Sequence, residues 1–264
     1  MRVALLAAAL AAPGPMVPDR PAVETEVWPR LAAHYAFVQV TTAVSDAPFL
    51  GEVTTETQAL GTLRVEQRGR TIRLTDERLC ALSTSSPTPF VHTRYPKAFL
   101  TAMSGGSRMA RLETGTAGRV RMIQPRSTEV RGAKLGGVDE PLPVEPEDPR
   151  VIDPDGDGHP GLTVRVEGLA RGELHLVTRG WTRFDAELRA DGTLSGPLAW
   201  STEQQVLGVT HWMLKDPPAS RPHPDPDRSW YGLVPLPTPL PCAQVAARAE
   251  ALRTRAEPSA PNEP

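Results

Sequence analysis

Three aspartates at alternate positions stand in the stretch Asp153-Pro154-Asp155-Gly156-Asp157-Gly158-His159. Carboxylate oxygens spaced in this way suit a hard divalent cation, calcium above all, and glycine permits the sharp turn that such wrapping needs. Counted from Asp153, carboxylates fall at positions 1, 3 and 5 and glycine at position 6, and His159 at position 7 can offer its backbone carbonyl. Without a cation the three carboxylates repel one another. The sequence therefore predicts a structural Ca2+ held by Asp153, Asp155, Asp157 and His159. A plain Asp/Gly/Pro turn is the alternative, since aspartate caps turns and glycine relaxes them.

The stretch resembles the DxDxDG cation loops of EF-hands, dockerins and thrombospondin type 3 repeats, over about a dozen residues. It departs from the EF-hand pattern at position 12, where Val164 stands in place of a bidentate glutamate, and an alternating strand follows instead of a helix. Glu147, Asp148 or water is left to complete the shell. With that glutamate missing, the resemblance implies weak affinity, on the order of 10⁻⁴ to 10⁻³ M.

Other polar clusters offer less. His223, Asp225 and Asp227 lie in a proline-rich loop whose Arg221 and Arg228 offset the charge, which reads as a rigid surface loop. His175 and His211 read as strand-face residues. The chain lacks a G-x-S-x-G elbow, an H-E-x-x-H pair and a P-loop, so no catalytic residue is assigned. Trp181, Trp200, Trp212 and Trp230 gather in the C-terminal half and read first as core packing.

Composition bounds the rest. A net charge of −2 gives no electrostatic case for nucleic acid or an anionic membrane surface. Residues 1–11 read as a signal peptide: Arg2 precedes the apolar run Val3 to Ala12, and Ala9-Leu10-Ala11 supplies the small residues a signal peptidase reads. The run is too short to span a bilayer as a helix, and no other segment reads as transmembrane. The expected location is periplasmic or secreted. In an oxidising compartment Cys80 and Cys242 are expected to pair, closing a long loop.

These residues must be positioned by strands. Ala36, Val38, Val40 and Val44 share one face; Leu63, Val65, Ile72 and Leu74 flank the Arg68-Gly69 turn; Leu162, Val164 and Val166 alternate with Thr163, Arg165 and Glu167. Leu174, Leu176, Phe184, Ala186 and Leu188 line one face of a long strand that turns at Asp191-Gly192 and returns through Leu194, Leu198 and Trp200. Gly180 inside that strand suggests a bulge or corner. Lys97 to Met103 and Ala243 to Arg255 read as short helices, and residues 256–264 as a disordered tail. The prediction is a single all-β domain over residues 22–255, an antiparallel up-and-down barrel with a short C-terminal helix. A β-sandwich is the alternative.

The segments Asp155 to Val164, Gly172-Glu173-Leu174 and Glu203 to Gly208 resemble secreted bacterial β-rich proteins of uncharacterised activity. The barrel is lipocalin-like by analogy. The resemblance implies an envelope setting and brings no activity. The expected function is a non-catalytic exported protein with a structural calcium loop, its barrel holding an apolar or amphipathic ligand. A hydrolase with an unrecognised acid/base pair and a surface-adhesion module are the alternatives.

Overall fold

In a computed structural model, which describes residues 27–47, 51–86, 91–115, 118–168 and 171–258, the alternating segments become antiparallel strands. The proposed signal segment and residues 259–264 lie outside the described residues. The strands are β1 (His34–Ala47), β2 (Gly51–Arg68), β3 (Thr71–Ser85), β4 (Val91–Arg94), β5 (Arg108–Thr114), β6 (Val120–Arg131), β7 (Leu162–Gly168), β8 (Gly172–Leu188), β9 (Leu194–Val209), β10 (Ser220–Pro222) and β11 (Trp230–Leu236). Three short helices accompany them: α1 (Lys97–Ala102), α2 (Cys242–Ala247) and α3 (Ala249–Ala256). No described helix is long and apolar enough to cross a membrane.

Eight strands close a ring in chain order, β1-β2-β3-β5-β6-β8-β9-β11, with β11 pairing back to β1. Every neighbouring pair is antiparallel, so the ring runs up and down and the predicted all-β class holds. Its strands are not spread evenly round an axis, which gives it both barrel and sandwich character. Closure gives each ring strand a partner on both sides over part of its length, although β5 covers only Thr71–Leu74 of β3 and β11 only Leu194–Pro197 of β9. β4 and β7 extend the sheet beside the start of β8.

All eight ring strands contribute to one interior core, which includes Tyr35, Phe37, Leu63, Ile72, Leu112, Met122, Phe184, Leu194, Tyr231 and Leu233. Phe37, Tyr231 and Phe184 stack through it, with Tyr231 centroids 6.2 and 4.5 Å from its two neighbours. The opposite face of β1 carries Ala36, Val38 and Val40, which pack outside the ring against Val245, Leu252 and Ala256 of α2 and α3. A bond between Cys80 and Cys242 ties β3 to the start of α2, as the pairing expected from sequence requires.

Local departures from the expected elements have local causes. The hairpin turn is Gly69-Arg70, since Arg68 pairs with Thr71 and Gly69 takes the positive φ of 57°. Gly180 keeps register with Glu129 and Thr202 and makes no bulge. The bulges fall instead in β3 at Cys80 and at Asp76-Glu77, in β6 at Pro125-Arg126 and in β9 at Leu207. The C-terminal helix breaks at Arg248, and Ala256, where the tail was expected to begin, is the buried last residue of α3.

Candidate functional site

β7 continues β6 along the same edge of β8. Arg131 of β6 pairs with Thr178, and Leu162 of β7 with Leu176. The thirty residues between them leave the sheet and return, and the excursion closes at a neck. Ile152 N–H donates to Gly132 O at 3.0 Å, Gly161 N–H donates to Ile152 O at 2.9 Å, and Ala133 bridges Val151. Gly132 and Gly161 both sit at φ 82°, and a Cβ on Gly161 would lie 2.4 Å from Leu176 O. Only glycine fits there. Beyond the neck, Ala133 and Leu142 pack on Val177 and Leu207 of the outer sheet face.

The acidic stretch occupies the returning arm of this excursion. Carboxylate oxygens of Asp153, Asp155 and Asp157 lie within 4.8 Å of one another, a group able to hold a metal ion. Asp153 Oδ1 accepts from Gly156 N–H at 2.7 Å, and its Oδ2 accepts from Gly158 N–H at 2.9 Å. Burial pushes Asp153 up, but these amide donors outweigh it and hold its carboxyl below the ordinary range. Asp155 moves the other way, raised by burial and by the Asp157 charge. Its Oδ2 accepts from Thr163 N–H at 2.9 Å, while its Oδ1 is buried without a partner.

The His159 side chain lies in a different group, with Glu173 and His175. Asp148, considered from sequence as an upstream ligand, is engaged by Arg150 at 2.6 Å and held down to about 2 by that guanidinium. In the proline-rich loop, His223 Nδ1 accepts from Asp225 N–H at 3.0 Å and Asp225 Oδ1 from Asp227 N–H at 3.1 Å. Those three residues form a local turn, outside the two metal-competent groups found among the described residues.

Composition and periodicity did not reveal a cavity of about 240 Å³ inside the ring. It lies between the interior core and α1, and its wall includes Phe37, Leu79, Trp200, Arg108, Glu129 and Arg131. The bulge at Pro125-Arg126 shifts the parity of β6, so Glu129 and Arg131 reach the same side as Met122. Arg108 is 8% exposed and donates to Glu77 at 2.5 Å, with its guanidinium 5.8 Å from the Tyr231 ring centroid. Burial alone would lower the pKa of Arg108, but the Glu77 carboxylate outweighs that and raises it. Arg131 bridges Glu129 at 2.8 Å and Ala102 O at 3.2 Å. The Nε atoms of Arg108 and Arg131 are both buried without a hydrogen-bond partner.

The Trp residues separate by role. Trp230 is core, Trp200 donates to Ser229 Oγ at 3.0 Å from the cavity wall, Trp181 lies under Arg126 at 4.6 Å, and Trp212 is exposed. Comparison of the chain with protein-family models, curated proteins and solved structures gives no match.

Proposed function

We propose that this chain is a non-catalytic binding protein of the cell envelope, exported by its N-terminal segment, whose ring takes a small amphipathic molecule with an anionic or strongly hydrogen-bond-accepting end. The observation that carries this reading is one cavity lined by both Arg108 and Arg131, two arginines that each keep a buried Nε donor without a partner. A buried donor left without an acceptor costs about 1–3 kcal/mol, so an acceptor brought by a ligand recovers stability as well as affinity. Phe37, Leu79 and Trp200 supply apolar contact for the remainder of the molecule. A purely apolar ligand would desolvate the charged groups and return nothing. At about 240 Å³ the cavity falls below the roughly 300–1,000 Å³ of drug-sized sites, so the ligand is small. Glu77 and Glu129 are each paired to an arginine, which favours binding over acid/base hydrolysis.

In the same reading the Asp153–Asp157 loop holds calcium structurally. The converging carboxylates and the orphaned Asp155 Oδ1 fit a hard cation. The Cys80–Cys242 bond agrees with an oxidising compartment. The ring test is titration with octanoate and benzoate, each beside its neutral amide, followed by tryptophan fluorescence and melting temperature. A carboxylate should perturb Trp200 and raise the melting temperature, its amide less, and Arg131→Met should weaken the effect. No response to either acid at any soluble concentration would sink the reading.

A further inference from the structure

The outer face of the β7–β8 pair carries a second set of ligating side chains. Glu173 and His175 lie two residues apart on β8, and side chains so spaced share one sheet face. Their cross-strand partners on β7 are Arg165 and Thr163. Arg165 donates to Glu173 Oε1 at 2.9 Å, and Thr163 Oγ1 lies 3.0 Å from His175 Nδ1. His159 leans in from the loop ahead of β7, and its ring stacks on His175 with centroids 4.2 Å apart at 19°. One donor atom from each of His159, Glu173 and His175 falls within 4.8 Å of the others.

We propose that His159, Glu173 and His175 bind one borderline divalent ion of the zinc class, at a site separate from the aspartate loop. Two imidazoles and one carboxylate suit zinc and its first-row neighbours, whereas calcium prefers an all-oxygen shell. His175 is 5% exposed, and its Nδ1 is held by the Thr163 hydroxyl, which orients the ring and leaves Nε2 for a metal. Arg165 engages one oxygen of Glu173, leaving the other. Zinc here would join the returning arm of the excursion to β8, so that arm would be fixed by two ions of different chemistry.

The test is calorimetric titration of the full folded protein with Zn2+ in excess Ca2+, which occupies hard oxygen sites. Substitution of Co2+ provides visible absorption bands that report nitrogen ligation. Wild-type protein should take one zinc per chain. Affinity should fall at least about tenfold in His159→Ala, an exposed position where folding is not at stake, and in Glu173→Gln, and stay within about twofold of wild type in Asp155→Asn. Absence of zinc binding, wild-type affinity in His159→Ala, or a loss in Asp155→Asn as large as in His159→Ala would each overturn the proposal.

Discussion

Asp155 Oδ2 accepts the Thr163 amide hydrogen at 2.9 Å, so the middle carboxylate of the acidic loop is fastened to the second residue of β7. Its other oxygen is buried and unpartnered. Anything that anchors Asp155 therefore also fixes where β7 begins. With a dissociation constant of about 1 mM, roughly 10 mM calcium stabilises by about 1.4 kcal/mol through mass action, a rise of roughly 3–6 °C in melting temperature. Asp155→Ala should abolish that rise and also lower the calcium-free melting point, because the Thr163 donor is stranded. Asp157→Asn should abolish the rise alone, since its side-chain oxygen still accepts from His159 N–H. Scanning calorimetry with calcium and with chelator decides it, and equal melting of the wild type in both would count against the ion.

The Cys80–Cys242 bond closes a separation of 162 residues. Loop entropy sets its worth at about 5 kcal/mol, with real values often lower. Only α2 and α3 hang from it, and they also hold through Val245, Leu252, Ala256 and the Arg253 contacts to Glu56 and Gln58 at 2.7 Å. Cys80→Ala/Cys242→Ala should therefore leave the ring folded while loosening residues 242–256. Amide exchange checks it: protection should fall in the helices first and stay in β1 and β11.

Much of this architecture is legible in period-two patterning, because a ring strand has one face in and one out. Which face is inward is not legible. Ala36, Val38 and Val40 form the cleaner apolar row, yet they face outward beneath α2 and α3, while Phe37 and Gln39 face the cavity. An interior that is polar at its middle inverts the usual cue. The bulge in β6 hides the cavity for a second reason, since it puts odd-numbered Glu129 and Arg131 on the same side as even-numbered Met122. The aspartate loop was readable because its three carboxylates stand at alternate positions of one short stretch. The His159 group was not, because Glu173 lies across a hairpin. Its only signal was Glu173-x-His175 on one strand face, with a histidine just before the partner strand.

Acid should loosen the β8–β9 turn through Asp191. Burial pushes this carboxyl up, but hydrogen bonds from Thr193 N–H at 3.0 Å and Thr193 Oγ1 at 2.9 Å, with Arg255 at 3.0 Å, leave it below the ordinary range. A folded pKa below the unfolded value of about 3.9 gives stability that is complete above that pH and lost as pH falls through the lower folded value. Asp191→Asn should lower stability at neutral pH and make the melting temperature less dependent on pH from roughly pH 4 downward. Parallel pH dependence in the two proteins would remove Asp191 from the acid response.

Inside the ring, Arg108 and Glu77 should behave as a buried pair whose halves are worth more together than apart. The Arg108 side chain is 7% exposed and that of Glu77 25%, with 2.5 Å between them. Removing one partner of a buried pair costs about 3–5 kcal/mol, because the other charge stays desolvated. Glu77→Leu strands the guanidinium, leaving Tyr231 Oη at 3.4 Å as its other acceptor. Arg108→Met leaves Glu77 with an easier route to solvent, so its cost should fall at the lower end of that range. The double variant replaces both charges by apolar groups and should be more stable than Glu77→Leu, near or above wild type. It should also lose carboxylate binding, since one of the two Nε donors is gone. Urea unfolding of the four proteins gives the coupling. Additive losses in the double variant would show that the pair is solvated, and that the cavity wall is no place for an anionic ligand.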